Sequence, residues 1–122
     1  MSITVYAAGS CNNKTRVGSS RVMVQYSHAR TFTDYSYQNT TAMRSTLQGL
    51  IDGVSQLQES GHVLLVTSAI LPIEKARRGE GPNKDLVEAL FHALKEKGCS
   101  YEFNFWEGRG KELTQLIGSP HS

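Results

Sequence analysis

The chain has 122 residues, of which 39% are hydrophobic and 20% charged, and its formal net charge is +2. That length holds one domain, taken as residues 1–122, and the composition excludes an intrinsically disordered polymer. So mild a positive charge permits nucleic-acid binding without demanding it.

In chain order, Ile3 to Tyr6 read as a strand. It is expected to stop at a sharp turn, Gly9-Ser10-Cys11, with only Ala7 and Ala8 at its tip. A polar loop follows over 12–20, then two alternating segments, 21–26 and 31–37, which predict an antiparallel meander. The period then changes. Met43, Leu47, Leu50, Ile51, Val54 and Leu57 form one stripe of a long helix over 40–61, capped by Thr40 or Thr41 and ended by Gly61. Gly49 and Gly53 sit four apart within it, which suits close approach of the helix to the sheet.

The run 63–67 predicts a strand buried on both faces. Pro72 suits the first turn of a short helix over 72–78. A link at 79–83 leads to a helix over 84–98, with Leu86, Val87, Leu90, Phe91 and Leu94 as its apolar face and Gly98 as its stop. Residues 100–106 alternate as a fifth strand, 111–117 form a last short helix, and 118–122 fray. Hydrophobic strands interleaved with helices predict an α/β domain built on a mixed sheet.

Five segments in this order resemble the ribonuclease H family: 6-YAAGSC-11, 41-TAMRSTLQGLIDGV-54, 63-VLLVTSAIL-71, 83-NKDLVEAL-90 and 105-FWEGRGKEL-113. The resemblance implies a ribonuclease H-like, five-stranded mixed sheet, three strands antiparallel and then two parallel, with helices on both faces. Family members hold two divalent cations between four carboxylates. Those positions fall here on Ala8, Thr46, Ser68 and Lys111, and the assisting histidine falls on Arg109. A shift of one residue near the last helix would bring Glu112 or Glu107 into play. The family's paired asparagines fall on Ala42 and Met43. The resemblance therefore implies a catalytically degenerate member, not an enzyme, with no metal or other cofactor, because Mg²⁺ wants carboxylate oxygens.

The first loop and the last helix, which flank those positions, carry basic residues. Lys14, Arg16 and Arg21 could form one patch with Arg109 and Lys111, with Trp106 free to stack a base, although scattered solvated charge would look the same. A second cluster, Lys75, Arg77, Arg78 and Lys84, reads as a solvated face. Tyr26, Tyr35, Tyr37, Phe103 and Phe105 alternate on strands and read as core edge. His28, His62, His92 and His121 lack metal-ligand spacing. Asp34, Asp52, Glu102 and Glu107 form no convergent set.

Cys11 and Cys99 form no C-x-x-C pair and read as reduced thiols. No apolar run reaches ~18 residues, and no signal-peptide apolar region is present. These features point to a cytoplasmic protein without a membrane partner. The functional expectation is binding of RNA or an RNA/DNA hybrid without cleavage. The alternative is a protein-interaction or inhibitory adaptor on the same scaffold. The oligomeric state is not legible, although a free third strand could pair with another.

Overall fold

The computed structural model describes residues 2–27 and 29–118. His28, His121 and residues 119–122 of the expected frayed end lie outside the described residues. Five strands, β1 (Ser2–Cys11), β2 (Gly18–Gln25), β3 (Arg30–Tyr37), β4 (His62–Thr67) and β5 (Ser100–Phe105), alternate with four helices. These are α1 (Ala42–Ser55), α2 (Ile70–Arg77), α3 (Lys84–Glu96) and α4 (Gly110–Ile117). The sheet order is β3-β2-β1-β4-β5. β1, β2 and β3 are antiparallel neighbours, while β4 pairs parallel with both β1 and β5. The expected mixed sheet is therefore observed.

Strand parity sorts the core into two layers. Ile3, Val5, Ala7, Val22, Val24, Val63 and Leu65 share one face and form the main core with Leu47, Leu50 and Val54 of α1 and Val87, Leu90 and Leu94 of α3. Their neighbours Met23 and Val66 point the other way and are equally buried, as are Leu113 and Ile117 of α4. Helix α4 packs on β1 and β2 from that side.

The glycines of α1 act as expected. A Cβ at Gly53 would lie 2.8 Å from Cγ1 of both Val22 and Val5, and one at Gly49 would lie 2.9 Å from the Ser20 side chain. The start of α1 is fixed by the Thr41 hydroxyl, which accepts from Arg44 N at 3.1 Å. It is fixed again by Arg44, whose guanidinium donates both nitrogens to Asp85 at 3.0 and 2.8 Å, joining the first turns of α1 and α3. The hydrogen bonds from Arg44 hold the Asp85 carboxyl below its ordinary range.

Several boundaries differ from the sequence reading. β1 does not turn at Gly9, because Gly9, Ser10 and Cys11 continue to pair with Ser20, Ser19 and Gly18. Cross-strand pairing there outweighs the local turn signal. Helix α1 stops at Ser55, not Gly61. Leu57 continues the apolar stripe and is fully buried, but it reaches the core from a turn whose carbonyl accepts from Lys97 Nζ at 2.7 Å. Gly98, at φ +68, does terminate the α3 end.

The aromatic strand residues pack as core edge. Tyr35 stacks on Tyr37, and Phe103 on Phe105 with centroids 5.1 Å apart. The second basic cluster is exposed, as expected of a solvated face; there Arg77 lies over Phe103, Arg78 pairs with Glu80, and Lys84 with Glu88. His92 pairs with Glu96, and His62 with Glu102. No described helix is long and apolar enough to cross a membrane.

Gly53→Ala gains up to ~1 kcal/mol of helix propensity but forces a methyl into two valines, which costs about 1–3 kcal/mol. Urea denaturation is expected to show a net loss of up to about 2 kcal/mol; a higher midpoint would contradict the close packing. Asp85 carries a lowered folded pKa, so its contribution is complete above the ordinary carboxylate pKa of about 3.9 and fades as pH falls through the folded value. Because its side chain is 62% exposed, Asp85→Asn is expected to cost under about 1 kcal/mol at pH 7. Melting curves of the two proteins should converge as the pH approaches about 2.

Candidate functional site

β1, β4 and β5 run parallel, so their C-terminal ends share one edge of the sheet. Pairing of β1 with β4 stops at Tyr6–Val66. β1 continues on β2 as far as Cys11, and β4 continues on β5 to Thr67–Phe105. The two central strands therefore part, and a crevice opens beyond Tyr6 and Val66. In open α/β sheets, ligands bind at such a carboxyl-end parting of strands.

Of the four positions that the resemblance assigns to carboxylates, Ala8 follows the parting on β1 and Ser68 follows it on β4. Gly9 is pressed against α1, since a Cβ there would meet Thr46 N at 2.5 Å and Thr46 Oγ1 at 2.7 Å. Thr46 thus stands beside the Ala8–Gly9 peptide, and its hydroxyl donates to the Ala42 carbonyl at 3.0 Å. Ala8, Ser10, Arg21 and Thr114 line a cleft of about 30 Å³, room for about one water. Ser68 meets the start of α4, with its Oγ 3.4 Å from where a Gly110 Cβ would be. Lys111 is the next residue and is exposed.

Hydroxyls, a methyl group and an ammonium are a poor donor set for paired divalent cations, which call for carboxylate oxygens. The residues do not fit such a pair. Among the described residues, no three histidine, cysteine or acidic side chains converge. Of the two acids left open by the sequence, Glu112 lies 3.8 Å from Arg109, and both it and Glu107 are exposed. Asp52 is taken up elsewhere: it accepts from Tyr37 Oη at 2.8 Å and from Gln48 at 3.2 Å. Burial first, and Asp52 beside it, push the Tyr37 hydroxyl well above its ordinary pKa.

The expected basic patch divides into two groups. Trp106 is anchored by its backbone N–H, which donates to the Thr67 carbonyl at 2.9 Å, and its backbone carbonyl accepts from Arg109 N at 3.0 Å. This turn folds the Arg109 guanidinium over the indole, 4.6 Å from the ring centroid. Arg21 stands directly across from Ala8. It lies 3.7 Å from Asp34 and 5.1 Å from the Phe32 ring centroid. Arg21 thus stands beside Ala8, while Arg109 and Lys111 follow Trp106 at the start of α4.

Lys14 and Arg16 lie instead in the loop between β1 and β2. Arg16 adopts φ +61, and its Nε donates to the Thr40 carbonyl at 2.8 Å, fastening the loop to the residues before α1. Lys14 is exposed at the tip of a turn closed by Asn12, whose Oδ1 accepts from the backbone of Lys14 and Thr15. Trp106 and Arg109 were both legible as candidates, but their stacking was not. The three-residue spacing over Glu107-Gly108, with Gly108 at φ +70, is the only local signal for it.

No protein-family model matches this chain. No curated protein sequence matches it either. Among solved structures, it is similar to the N-terminal RNase H domain of a Mycobacterium tuberculosis protein, determined as a fusion with maltose-binding protein. That superposition has a TM-score of 0.73 and 10% sequence identity, and it covers 96% of this chain and 95% of the other. With the strand order, the parting of β1 from β4 and this superposition in agreement, the domain has the ribonuclease H-like fold.

Proposed function

We propose that the domain holds a nucleic-acid strand, RNA or an RNA/DNA hybrid, along the crevice and does not cut it. The observation that carries this reading is the pairing of Trp106 with Arg109 beside Ser68, where a cation and an aromatic face replace a set of acids. An indole offers a stacking surface to any base, and the guanidinium beside it can accept a phosphate in bidentate fashion. The Arg109–Glu112 contact is long and exposed, so exchanging Glu112 for a phosphate costs under about 1 kcal/mol. Lys111 adds an exposed cation next to Gly110, which meets Ser68. Hydrolysis of the backbone would need a pair of metal-bound oxygens that alanine, threonine, serine and lysine do not organise.

The adaptor reading draws on two exposed leucines, Leu71 of α2 and Leu116 of α4, at 62% and 51% exposure. The two leucines lie on different helices. They offer an apolar contact to a protein, but nothing at the crevice needs such a partner.

Trp106 is the only tryptophan, so its fluorescence reports directly on the crevice. Titration with single-stranded RNA, duplex RNA, hybrid and DNA at two salt concentrations is expected to quench it. The affinity should fall with salt at a log–log slope of about −0.7 for each phosphate contacted on a single strand. Arg109→Glu and Lys111→Glu are each expected to weaken binding about tenfold. Binding that ignores both salt and these substitutions, or breakdown of the hybrid in Mn²⁺, would contradict the proposal. The positional assignment has its own check. The triple variant Ala8→Asp/Thr46→Glu/Ser68→Asp is expected to bind Mn²⁺ at least about tenfold more tightly than the parent by calorimetry; equal affinities would show that these positions do not converge.

A further inference from the structure

The outer edge of β3 offers no obvious obstacle to another strand. Sheets protect their edges with short strands, lysines, prolines or bulges. β3 has eight residues, RTFTDYSY, with no lysine or proline. Its register against β2 runs unbroken from Gly18–Tyr37 to Gln25–Arg30.

The hydrogen-bond phase of β3 can be read from both ends of β2. Tyr26 N donates to the Ala29 carbonyl at 2.8 Å, so alternate residues counted from Ala29 (Thr31, Thr33, Tyr35) direct their peptide groups at β2. At the other end, Asn12 N donates to the Val17 carbonyl at 3.0 Å and fixes the same phase through the β1–β2 register. The peptide groups of Arg30, Phe32, Asp34 and Ser36 therefore point outward from the sheet. The side chains of these four residues share the α4 face, and Phe32 is 47% exposed.

We propose that β3 pairs antiparallel with β3 of a second copy of this chain, about a two-fold axis through Phe32. In this register Arg30 faces Asp34 of the partner, Phe32 faces its own counterpart, and Asp34 faces the partner's Arg30. All three are pairs of outward-pointing residues, so they exchange about six backbone hydrogen bonds. On the opposite face Thr31 meets Thr33 twice, a favourable cross-strand pair. Charge complementarity selects this register over those displaced toward the C-terminal end of β3. Moving the axis to Thr33 sets Phe32 against Asp34, and moving it to Asp34 sets two carboxylates against each other. The interface is small, so the dimer is weak and depends on concentration.

Sedimentation velocity on nucleic-acid-free protein from about 10 μM to 1 mM tests this. The parent is expected to pass from monomer to dimer over that range. Arg30→Asp and Asp34→Arg should each remain monomeric alone, because each places like charges opposite one another. Their equimolar mixture should dimerise again, because each charge then meets its complement. Phe32→Pro removes one outward N–H without touching the ladder to β2; it should keep native circular dichroism and lose the dimer. Should Asp34→Arg unfold by losing its contact with Arg21, Arg30→Asp and Phe32→Pro still decide the matter. A parent that stays monomeric at about 1 mM, a mixture of two folded swap variants that does not associate, or a folded Phe32→Pro that still dimerises would overturn the pairing.

Discussion

The approach of α1 to β1 and β2 sets the geometry on which the crevice depends. Glycines at positions 9, 49 and 53 remove the side chains that would hold helix and sheet apart, and the resulting gaps are too narrow for a methyl group. Helix α1 can then lie along the centre of the sheet while Thr46 reaches the tip of β1. The Arg44–Asp85 pair fixes the same end of the helix against α3. With α1 on one face and α4 on the other, β1 parts from β4 within a small, walled space. A looser helix would leave Thr46 away from Ala8 and the edge without a defined crevice.

Electrostatics then decide what this crevice can hold. A cage for paired dications needs several negative charges held close together, and that repulsion is offset only when the metals bind. Here the groups at positions 8, 46, 68 and 111 are neutral or cationic. Arg21 is balanced by Asp34 and stacked on Phe32, and Arg109 is stacked on Trp106. Such a rim is compatible with a polyanion laid along it. Two acids considered from the sequence have partners of their own, Asp52 in Tyr37 and Glu112 in Arg109.

Much of the architecture was legible because period and composition agreed. The apolar stripe of α1, the continuous run of β4 and the αL stop at Gly98 each combined a burial pattern with a local signal. The misreadings came where a non-local contact prevailed. Gly9-Ser10-Cys11 looks like a turn in isolation, yet pairing with Ser20, Ser19 and Gly18 keeps it extended. Leu57 prolongs a helical stripe on paper, yet it reaches the core from a turn capped by Lys97. At the site, residue types were readable but their commitments were not. Nothing in the sequence says that Arg16 serves the Thr40 carbonyl, or that Arg109 folds back over Trp106, because both depend on backbone turns set by their neighbours.

In the function proposed for this domain, the parted ends of β1 and β4 form a polyanion-binding crevice without metal-binding acids. Amide and indole chemical-shift mapping of the labelled protein with a short single-stranded RNA, with and without Mg²⁺, tests it most directly. The expected result is a set of shifts at Ala8, Ser68, Arg109 and the Trp106 indole that is the same with or without the ion. Shifts confined to the α2–α3 side, or Mg²⁺-dependent shifts centred on acidic side chains beside Ala8, would contradict it.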